Sequence, residues 1–135
     1  NTGFWTEADL AGVTVPGFYV AGDQDNVAGY ENGTKAIYEG VVNSERYLLT
    51  YLEAGHNAGA PIQVPSELDN EENDEPAMHY KAPSWANVEM NNIMDHFATI
   101  WFDHHLKGIE RSNALSRIPA NYRERLLVEH ISIGE

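Results

Sequence analysis

The sequence predicts an α/β fold in which a parallel strand–helix–strand unit is followed by a long helix toward the C-terminus. Apolar and aromatic runs at Val15–Ala21 and Arg46–Leu52 flank a segment with helical spacing. This pattern is typical of a βαβ unit with parallel strands and a right-handed crossover. Ser84–Lys107 repeats apolar residues every three or four positions, as a long amphipathic helix does.

The composition indicates one globular domain. With 135 residues, of which 42% are hydrophobic, we treat residues 1–135 as a single, partial domain rather than as two domains or a disordered chain. No apolar run approaches the roughly 20 residues of a membrane span. The absence of cysteine excludes disulfides, zinc–thiolate sites and a cysteine nucleophile within these residues.

The charge is strongly acidic, with 21 acidic and 8 basic residues and a net charge of −13. Nucleic acids and anionic membranes are bound through basic surfaces, so we expect neither as a partner. Acidity of this kind most often serves solubility. Six of the acids lie between Ser66 and Pro76, which assigns part of the charge to one loop.

The first strand is predicted to be central and the second to be at or near an edge. Phe18–Ala21 is continuously apolar, which suits a parallel strand buried on both faces. Arg46 and Thr50 interrupt the second run, which favours an edge or near-edge position. Because two strands do not form a stable sheet, we expect further strands from outside the chain or from a second copy.

The connecting helix is predicted over Asn26–Val42, where Tyr30, Ile37 and Val41 share one face. Three glycines each weaken such a helix by about 1 kcal/mol relative to alanine: Gly29, Gly33 and Gly40. A short capped helical turn is also expected before the first strand, with Thr6 as its N-cap.

The remainder of the chain is predicted to contain a loop, a long helix and a short tail. Residues 57–83 indicate a long acidic loop, which is either a lid over a site or a surface excursion. Ser84 is the expected N-cap of the long helix and Gly108 its C-terminal stop. Phe102 and Leu106 widen its apolar stripe, so the helix is expected to be largely buried. Beyond it, we predict a short helix at Tyr122–Glu129 and an extended tail over residues 131–133.

An acid and a histidine follow the two predicted strands. Asp25 lies just past Gly22 and the first strand, and His56 follows Gly55 and the second. The carboxyl ends of parallel strands meet at one edge, where open α/β sheets bind ligands. A carboxylate at the Nδ1–H of an imidazole stabilises the imidazolium that forms when a nucleophile is deprotonated, so the pair predicts catalysis. The alternative is that Asp23 and Asp25 cap the next helix and His56 is incidental.

Three segments resemble α/β-hydrolases. Val15–Val27 is similar to the strand and acid loop of that family, Glu53–Asn57 to its histidine loop, and Phe102–Gly108 to the end of its closing helix. The resemblance covers roughly Val13–Gly108 and is closest to dienelactone-hydrolase-like and esterase-like members. It implies the family fold and the order acid, histidine, closing helix.

The resemblance implies that Asp25 is the acid of a catalytic triad and His56 its base, with Asp23 as the second candidate acid. It also implies hydrolysis of a small carboxylic ester, or of a related acyl bond, through a serine or cysteine nucleophile. We expect no cofactor. The family's Gly-x-Ser-x-Gly nucleophile elbow does not occur in this sequence. We therefore interpret the chain as the C-terminal part of a hydrolase, completed by a preceding region or another chain and inactive by itself. The opening Asn rather than Met agrees with a fragment or processed product, and the compartment is left open.

Two metal interpretations are weaker. His96 and His104 lie eight residues apart on the predicted helix, too far to share one ion without other ligands. The Glu67–Glu75 run lacks the glycine and the ligand spacing of an EF-hand. We predict no metal site.

The alternative to a hydrolase part is a non-catalytic interaction module. Its first strand, Val15–Ala21, would have an open edge, and open apolar edges pair with other chains. We therefore expect a homo-oligomer or pairing with a missing N-terminal portion.

Overall fold

The fold is organised around a mixed sheet of three strands in the order β1–β2–β3. The structure, a computed structural model, describes residues 5–68, 74–77, 79–81 and 84–133. Strand β1 (Gly17–Gly22) pairs in parallel with β2 (Arg46–Tyr51). Strand β3 (Leu126–Ile131) pairs antiparallel with the other edge of β2. The predicted parallel strand–helix–strand unit is therefore present within a mixed α/β fold.

The described helices are short apart from one. They are α1 (Glu7–Ala11), α2 (Lys35–Gly40), α3 (Asp74–Ala77), α4 (Asn87–Lys107) and α5 (Ser112–Leu115). Single turns of π- or 3₁₀-helix occur at Tyr30–Thr34, His56–Gly59 and Ala120–Tyr122. In the part of the chain that the structure describes, no helix has both the length and the apolar character that crossing a membrane requires.

The sheet is covered on both faces because side chains alternate along β2. Tyr47, Leu49 and Tyr51 join the core beneath α4, whereas Leu48 packs with Tyr38 of α2 on the opposite face. Helix α4 buries five side chains on its inner face: Met90, Ile93, Phe97, Ile100 and Trp101. The result is a helix–sheet–helix sandwich in which β2 is buried along its whole length.

The C-terminal segment differs from its prediction. The expected helix at Tyr122–Glu129 is wrong, because Leu126–Ile131 forms β3. Leu126 is fully buried, the next residue is exposed, and Val128 again packs on the core, which is the alternation of a strand with one covered face. The chain thus supplies a third strand itself, contrary to the expectation that every further strand comes from outside.

The predicted positions of the two parallel strands agree only in part with the sheet. β1, predicted to be central, lies at one edge of the described sheet, and β2, predicted to lie at or near an edge, is flanked by β1 and β3. Arg46 and Thr50, whose polarity favoured an edge, are both buried. The Arg46 guanidinium donates to the carbonyl of Ser44 at 3.0 Å, and the Thr50 hydroxyl shares a 3.0 Å hydrogen bond with that of Tyr30. These partners make the Arg46 and Thr50 side chains compatible with a central strand, while Nε of Arg46 has no hydrogen-bond partner within the described chain.

Helix α4 agrees with its prediction at one end only. It stops at Lys107, and Gly108 follows in the left-handed conformation with φ of 67°, as predicted for a C-terminal glycine. At the other end Ala86, not Ser84, is the N-cap, and it makes no side-chain capping bond. Phe102 and Leu106 are exposed, so the prediction that the helix is largely buried is wrong for this end.

Other elements agree in outline. Thr6 and Asp9 form a capping box at α1. The predicted helix over Asn26–Val42 is broken into the Tyr30–Thr34 turn and α2 by a non-helical Gly33. In the predicted loop of residues 57–83, the structure describes two short helical turns, and residues 69–73, 78, 82 and 83 lie outside the described ranges.

The close approach of two loops is set by Gly22, the last residue of β1. A Cβ atom there would lie 2.2 Å from the carbonyl oxygen of Ala54 and 2.5 Å from that of Gly55. Real Cβ atoms do not come so near backbone oxygen, so only glycine lets the chain after β2 pass across the end of β1.

We expect Gly22→Ala to lower the free energy of unfolding by about 1–3 kcal/mol, because backbone atoms must move apart to admit the methyl group. Gly59→Ala is the matched control, since its Cβ would meet nothing within 4 Å. Urea denaturation followed by circular dichroism measures both variants. Equal stability of Gly22→Ala and the parent chain would contradict the close approach.

Candidate functional site

Asp25 and His56 are in direct contact at the carboxyl edge of the parallel strands. The Oδ2 atom of Asp25 lies 3.0 Å from Nδ1 of His56. The two residues follow β1 and β2, which end level because Gly22 is paired with Tyr51. Because the two strands are parallel, the loops that follow them both start at the carboxyl edge of the sheet.

The two loops are joined by backbone contacts as well. The N–H of Gln24 donates to the carbonyl of Ala54 at 2.9 Å, and the N–H of Asp23 donates to Tyr51 at 3.0 Å. The carboxylate of Asp23 accepts a long 3.4 Å bond from the N–H of Ala54. Asp23, the second candidate acid, thus contacts the backbone of the histidine loop, whereas Asp25 contacts the imidazole.

Asp25 contacts both the backbone that follows it and the imidazole of His56. Its Oδ1 accepts from the backbone N–H groups of Val27 and Ala28 at 2.9 and 3.0 Å, as an aspartate in a turn does. It does not cap the next described helix, whose N-cap is Gly29 and has no side-chain capping bond. Its Oδ2 remains for the imidazole. These backbone bonds fix the orientation of the carboxylate and leave one oxygen directed at His56.

The pKa of Asp25 reflects burial opposed by these hydrogen bonds. Burial acts to raise the pKa, but the bonds from His56, Val27 and Ala28 and the charge of His56 outweigh it. The net pKa lies below the ordinary 3.8 of an aspartate. Asp25 is therefore ionised at neutral pH.

The ionised partner fixes the tautomer of His56. A carboxylate can only accept hydrogen bonds, so Nδ1 carries the proton and Nε2 of the neutral ring has a free lone pair. No described residue bonds to Nε2. The Asp25 side chain is 8% exposed and that of His56 is 38% exposed, so the carboxylate is enclosed while the imidazole is accessible.

A cavity of about 710 Å³ opens beside His56. Its described lining consists of His56, Asn57, Gly59, Ala60, Ile62, Leu68, Pro76, His79 and Tyr80. The ring of His79 meets that of His56 edge-on, with centroids 5.5 Å apart. The amide nitrogen of Asn57 donates to the carbonyl of Tyr80 at 3.0 Å, so the end of the predicted loop is held against the histidine.

Asn57, His79 and Tyr80 are the residues of this region that sequence reasoning did not identify. The only available signal was the prediction that residues 57–83 form a long loop, either a lid over a site or a surface excursion, which gave no side chain a role. Gly55 lies beside this segment too, since a Cβ there would be 3.1 Å from the carbonyl of Lys81.

The remaining histidines do not form a metal centre among the described residues, where no group of three or more His, Asp or Glu is placed to hold an ion. His96 is exposed on α4 and its ring meets Phe97. His104 and His105 lie with ring centroids 4.7 Å apart near the C-terminal end of α4.

No serine lines the described part of the cavity. Ser44 is buried, and its hydroxyl bonds to the carbonyls of Val15 and Glu45. It precedes β2, at the end of the strand opposite His56.

Comparisons of the chain with protein-family models, with curated proteins and with solved structures give no match. Function is therefore inferred from the geometry of the site.

We expect Asp25→Asn to destabilise the chain at pH 7 by about 1 kcal/mol, since a charged hydrogen bond is replaced by neutral ones. Because the folded-state pKa of Asp25 is lowered, its stabilisation is present above about pH 4 and is lost as the pH falls through the folded-state value. Urea unfolding of both proteins between pH 7 and pH 3 should show their difference shrinking.

Glu31→Gln is the control, because Glu31 forms an exposed pair with Lys35 on one helix face. We expect its effect to stay within about 0.5 kcal/mol. A stability difference for Asp25→Asn that is constant down to pH 3 would contradict the lowered pKa.

Proposed function

We propose that this chain is the acid-and-base part of an α/β-hydrolase that cleaves a carboxylic ester or a related acyl bond. The observation that carries the proposal is the 3.0 Å contact between Asp25 and His56 at the carboxyl edge of parallel strands. The enclosed acid, the accessible base and the adjacent cavity support it. The segments that resemble the family's acid and histidine loops are the ones that make this contact.

In the proposed reaction, Nε2 of His56 takes the proton of a nucleophile hydroxyl as that oxygen attacks the acyl carbonyl. Asp25 holds the imidazole by Nδ1 and stabilises the imidazolium. The imidazolium then protonates the leaving alkoxide, and the acyl group is transferred to the nucleophile. A water molecule, deprotonated by the same Nε2, hydrolyses that acyl intermediate and regenerates the site.

The nucleophile in this proposal comes from outside the 135 residues. The sequence has no cysteine and no Gly-x-Ser-x-Gly elbow, and the described lining of the cavity has no serine. Enzymatic activity therefore belongs to the complete protein or assembly. We expect this chain by itself to remain unlabelled by a fluorophosphonate probe.

Activity of the complete protein tests the proposal, with p-nitrophenyl acetate as substrate. We expect His56→Ala to lower kcat/KM at least about 1000-fold, because the general base is lost. Asp25→Asn should lower kcat about 100- to 10,000-fold, because the imidazole loses its orienting carboxylate.

The matched control is His96→Ala, which removes an exposed histidine from α4. We expect its kcat/KM to equal that of the parent protein. Undiminished turnover by the His56→Ala protein would overturn the assignment of the base.

A second candidate function is association through the open edge of β1. The N–H of Gly17 donates to the carbonyl of Glu45, just before β2, at 2.9 Å, and the N–H of Asp23 donates to Tyr51 of β2 at 3.0 Å. The alternate residues Phe18 and Val20 therefore direct their backbone groups away from β2. No strand described in the structure pairs with that side.

A groove of about 510 Å³ runs along this edge. Its apolar lining comes from β1, α2 and α4, including Val20, Ile37, Met94 and the exposed Phe102. Unpaired backbone groups flanked by apolar side chains favour the addition of another strand. The proposed occupant is a second copy of the chain or a segment of the complete protein.

We expect the isolated chain to associate at concentrations of tens of micromolar and Phe102→Glu to reduce that association, since the charge would be buried at the contact. Val88→Glu is the matched control, because Val88 is also exposed on α4 but lies outside the groove. Sedimentation velocity distinguishes the species. A parent chain that stays monomeric at high concentration would contradict pairing through β1.

A further inference from the structure

The cavity beside His56 has a lining that selects a ligand by chemistry. Its volume of about 710 Å³ falls within the range of small-molecule sites. Ile62, Leu68 and Pro76 supply aliphatic surface, and His56, His79 and Tyr80 supply aromatic rings. None of the described lining residues is a lysine or an arginine.

Aromatic faces and local charge favour a cation in this cavity. An ammonium group within about 6 Å of a Tyr, Phe or Trp ring is attracted by the electron density of its face, and Tyr80 is such a residue in the described lining. The ionised Asp25 lies directly behind His56, and the exposed Glu67 precedes the lining residue Leu68. Lys81 follows Tyr80 but does not line the cavity, and the net charge of −13 makes the surrounding potential negative.

An unmet hydrogen-bond acceptor adds a second and independent signal. Asn57 is 2% exposed and lines the cavity. Its amide nitrogen donates to Tyr80, while its Oδ1 atom has no partner within the described chain. A buried acceptor without a donor costs free energy, and a ligand N–H that reaches this wall would satisfy it.

We propose that the cavity lined by His56, Asn57, His79 and Tyr80 binds an apolar group that carries a protonated amine. The amine donates toward Asn57 and lies against the aromatic rings, and its apolar part packs on the aliphatic wall. In the complete enzyme this site receives the amine-bearing part of the ester, a consequence that rests on the hydrolase function proposed above. Binding itself requires no hydrolysis and is measured on this chain.

Three probes that share a phenyl group and differ in charge test the site: benzylammonium, benzyl alcohol and benzoate. Each is titrated into the isotopically labelled chain at pH 8 and low ionic strength, and the ring resonances of His56, His79 and Tyr80 are followed by NMR. We expect benzylammonium to shift all three with a Kd about tenfold below that of benzyl alcohol. Benzoate should leave them unchanged.

A matched pair of variants distinguishes binding in the cavity from attraction by the net charge of the protein. Ile62 lines the cavity and is 56% exposed, whereas Ile133 is 62% exposed and lies beyond β3. Ile62→Arg and Ile133→Arg change the net charge equally. We expect Ile62→Arg to weaken benzylammonium binding at least about tenfold and Ile133→Arg to alter it less than about twofold.

Ala60→Arg, at another exposed lining position, is the second variant and should repeat the loss. Equal affinities for the three probes, unshifted rings, or equal effects of the Ile62→Arg and Ile133→Arg substitutions would each overturn the amine site. The hydrolase proposal fails by a different result, an active His56→Ala enzyme. If the complete protein requires His56 for activity but its cavity does not bind benzylammonium, the hydrolase proposal stands and the amine site is overturned.

Discussion

The parallel pairing of β1 with β2 is the constraint on which the candidate site depends. With Gly22 opposite Tyr51, the two strands end level, and the loops that leave them start side by side. Gly22 then lets the Ala54 carbonyl approach to a distance that any side chain would block, and the Gln24 N–H binds that carbonyl. The backbone therefore fixes how close the two loops that carry Asp25 and His56 lie, and the side-chain rotamers complete the contact.

Hydrogen bonding to Asp25 converts this proximity into an oriented pair. Enclosing a carboxylate is unfavourable unless donors replace its hydration, and Val27, Ala28 and His56 supply them. Hydrogen bonds to a charged group contribute about 1.5–3 kcal/mol each, which outweighs burial and keeps the pKa of Asp25 low. Among the described residues the His56 ring is hydrogen-bonded through Nδ1 alone, so Nε2 remains for a ligand.

The acid and the histidine were predictable from sequence because each follows a strand within a few residues. A strand end fixes the position of its own loop, so parallel order alone places Asp25 near His56. Asn57, His79 and Tyr80 were not predictable as a group. Which part of a long loop returns to the histidine depends on contacts such as that between Asn57 and the Tyr80 carbonyl, and no local pattern encodes them.

The errors in the predicted fold have related physical causes. The segment that forms β3 contains adequate helix formers, namely Leu126, Leu127 and Glu129. It forms a strand because pairing with the open side of β2 satisfies a whole row of backbone groups. Tertiary context overrides propensity in the same way at Arg46 and Thr50, whose side chains bond to the Ser44 carbonyl and to the Tyr30 hydroxyl beside the sheet. Phe102 differs in the opposite direction. Its position in the helical pattern predicts burial, but within the described chain its side chain is exposed.

Three features of the molecule can be explained together. Phe102 is exposed, the outer edge of β1 has no described partner, and Nε2 of His56 has no described hydrogen-bond partner. The groove along β1 lies on the side of the sheet away from β3, and β1 carries Asp25 at its end. A strand added there in parallel would finish at the same edge as β1 and β2, because parallel strands share their carboxyl edge. The residue following such a strand would enter the rim beside Asp25 and His56. One added segment would then cover the apolar groove and bring a nucleophile within reach of His56. The association proposal and the hydrolase proposal are therefore compatible.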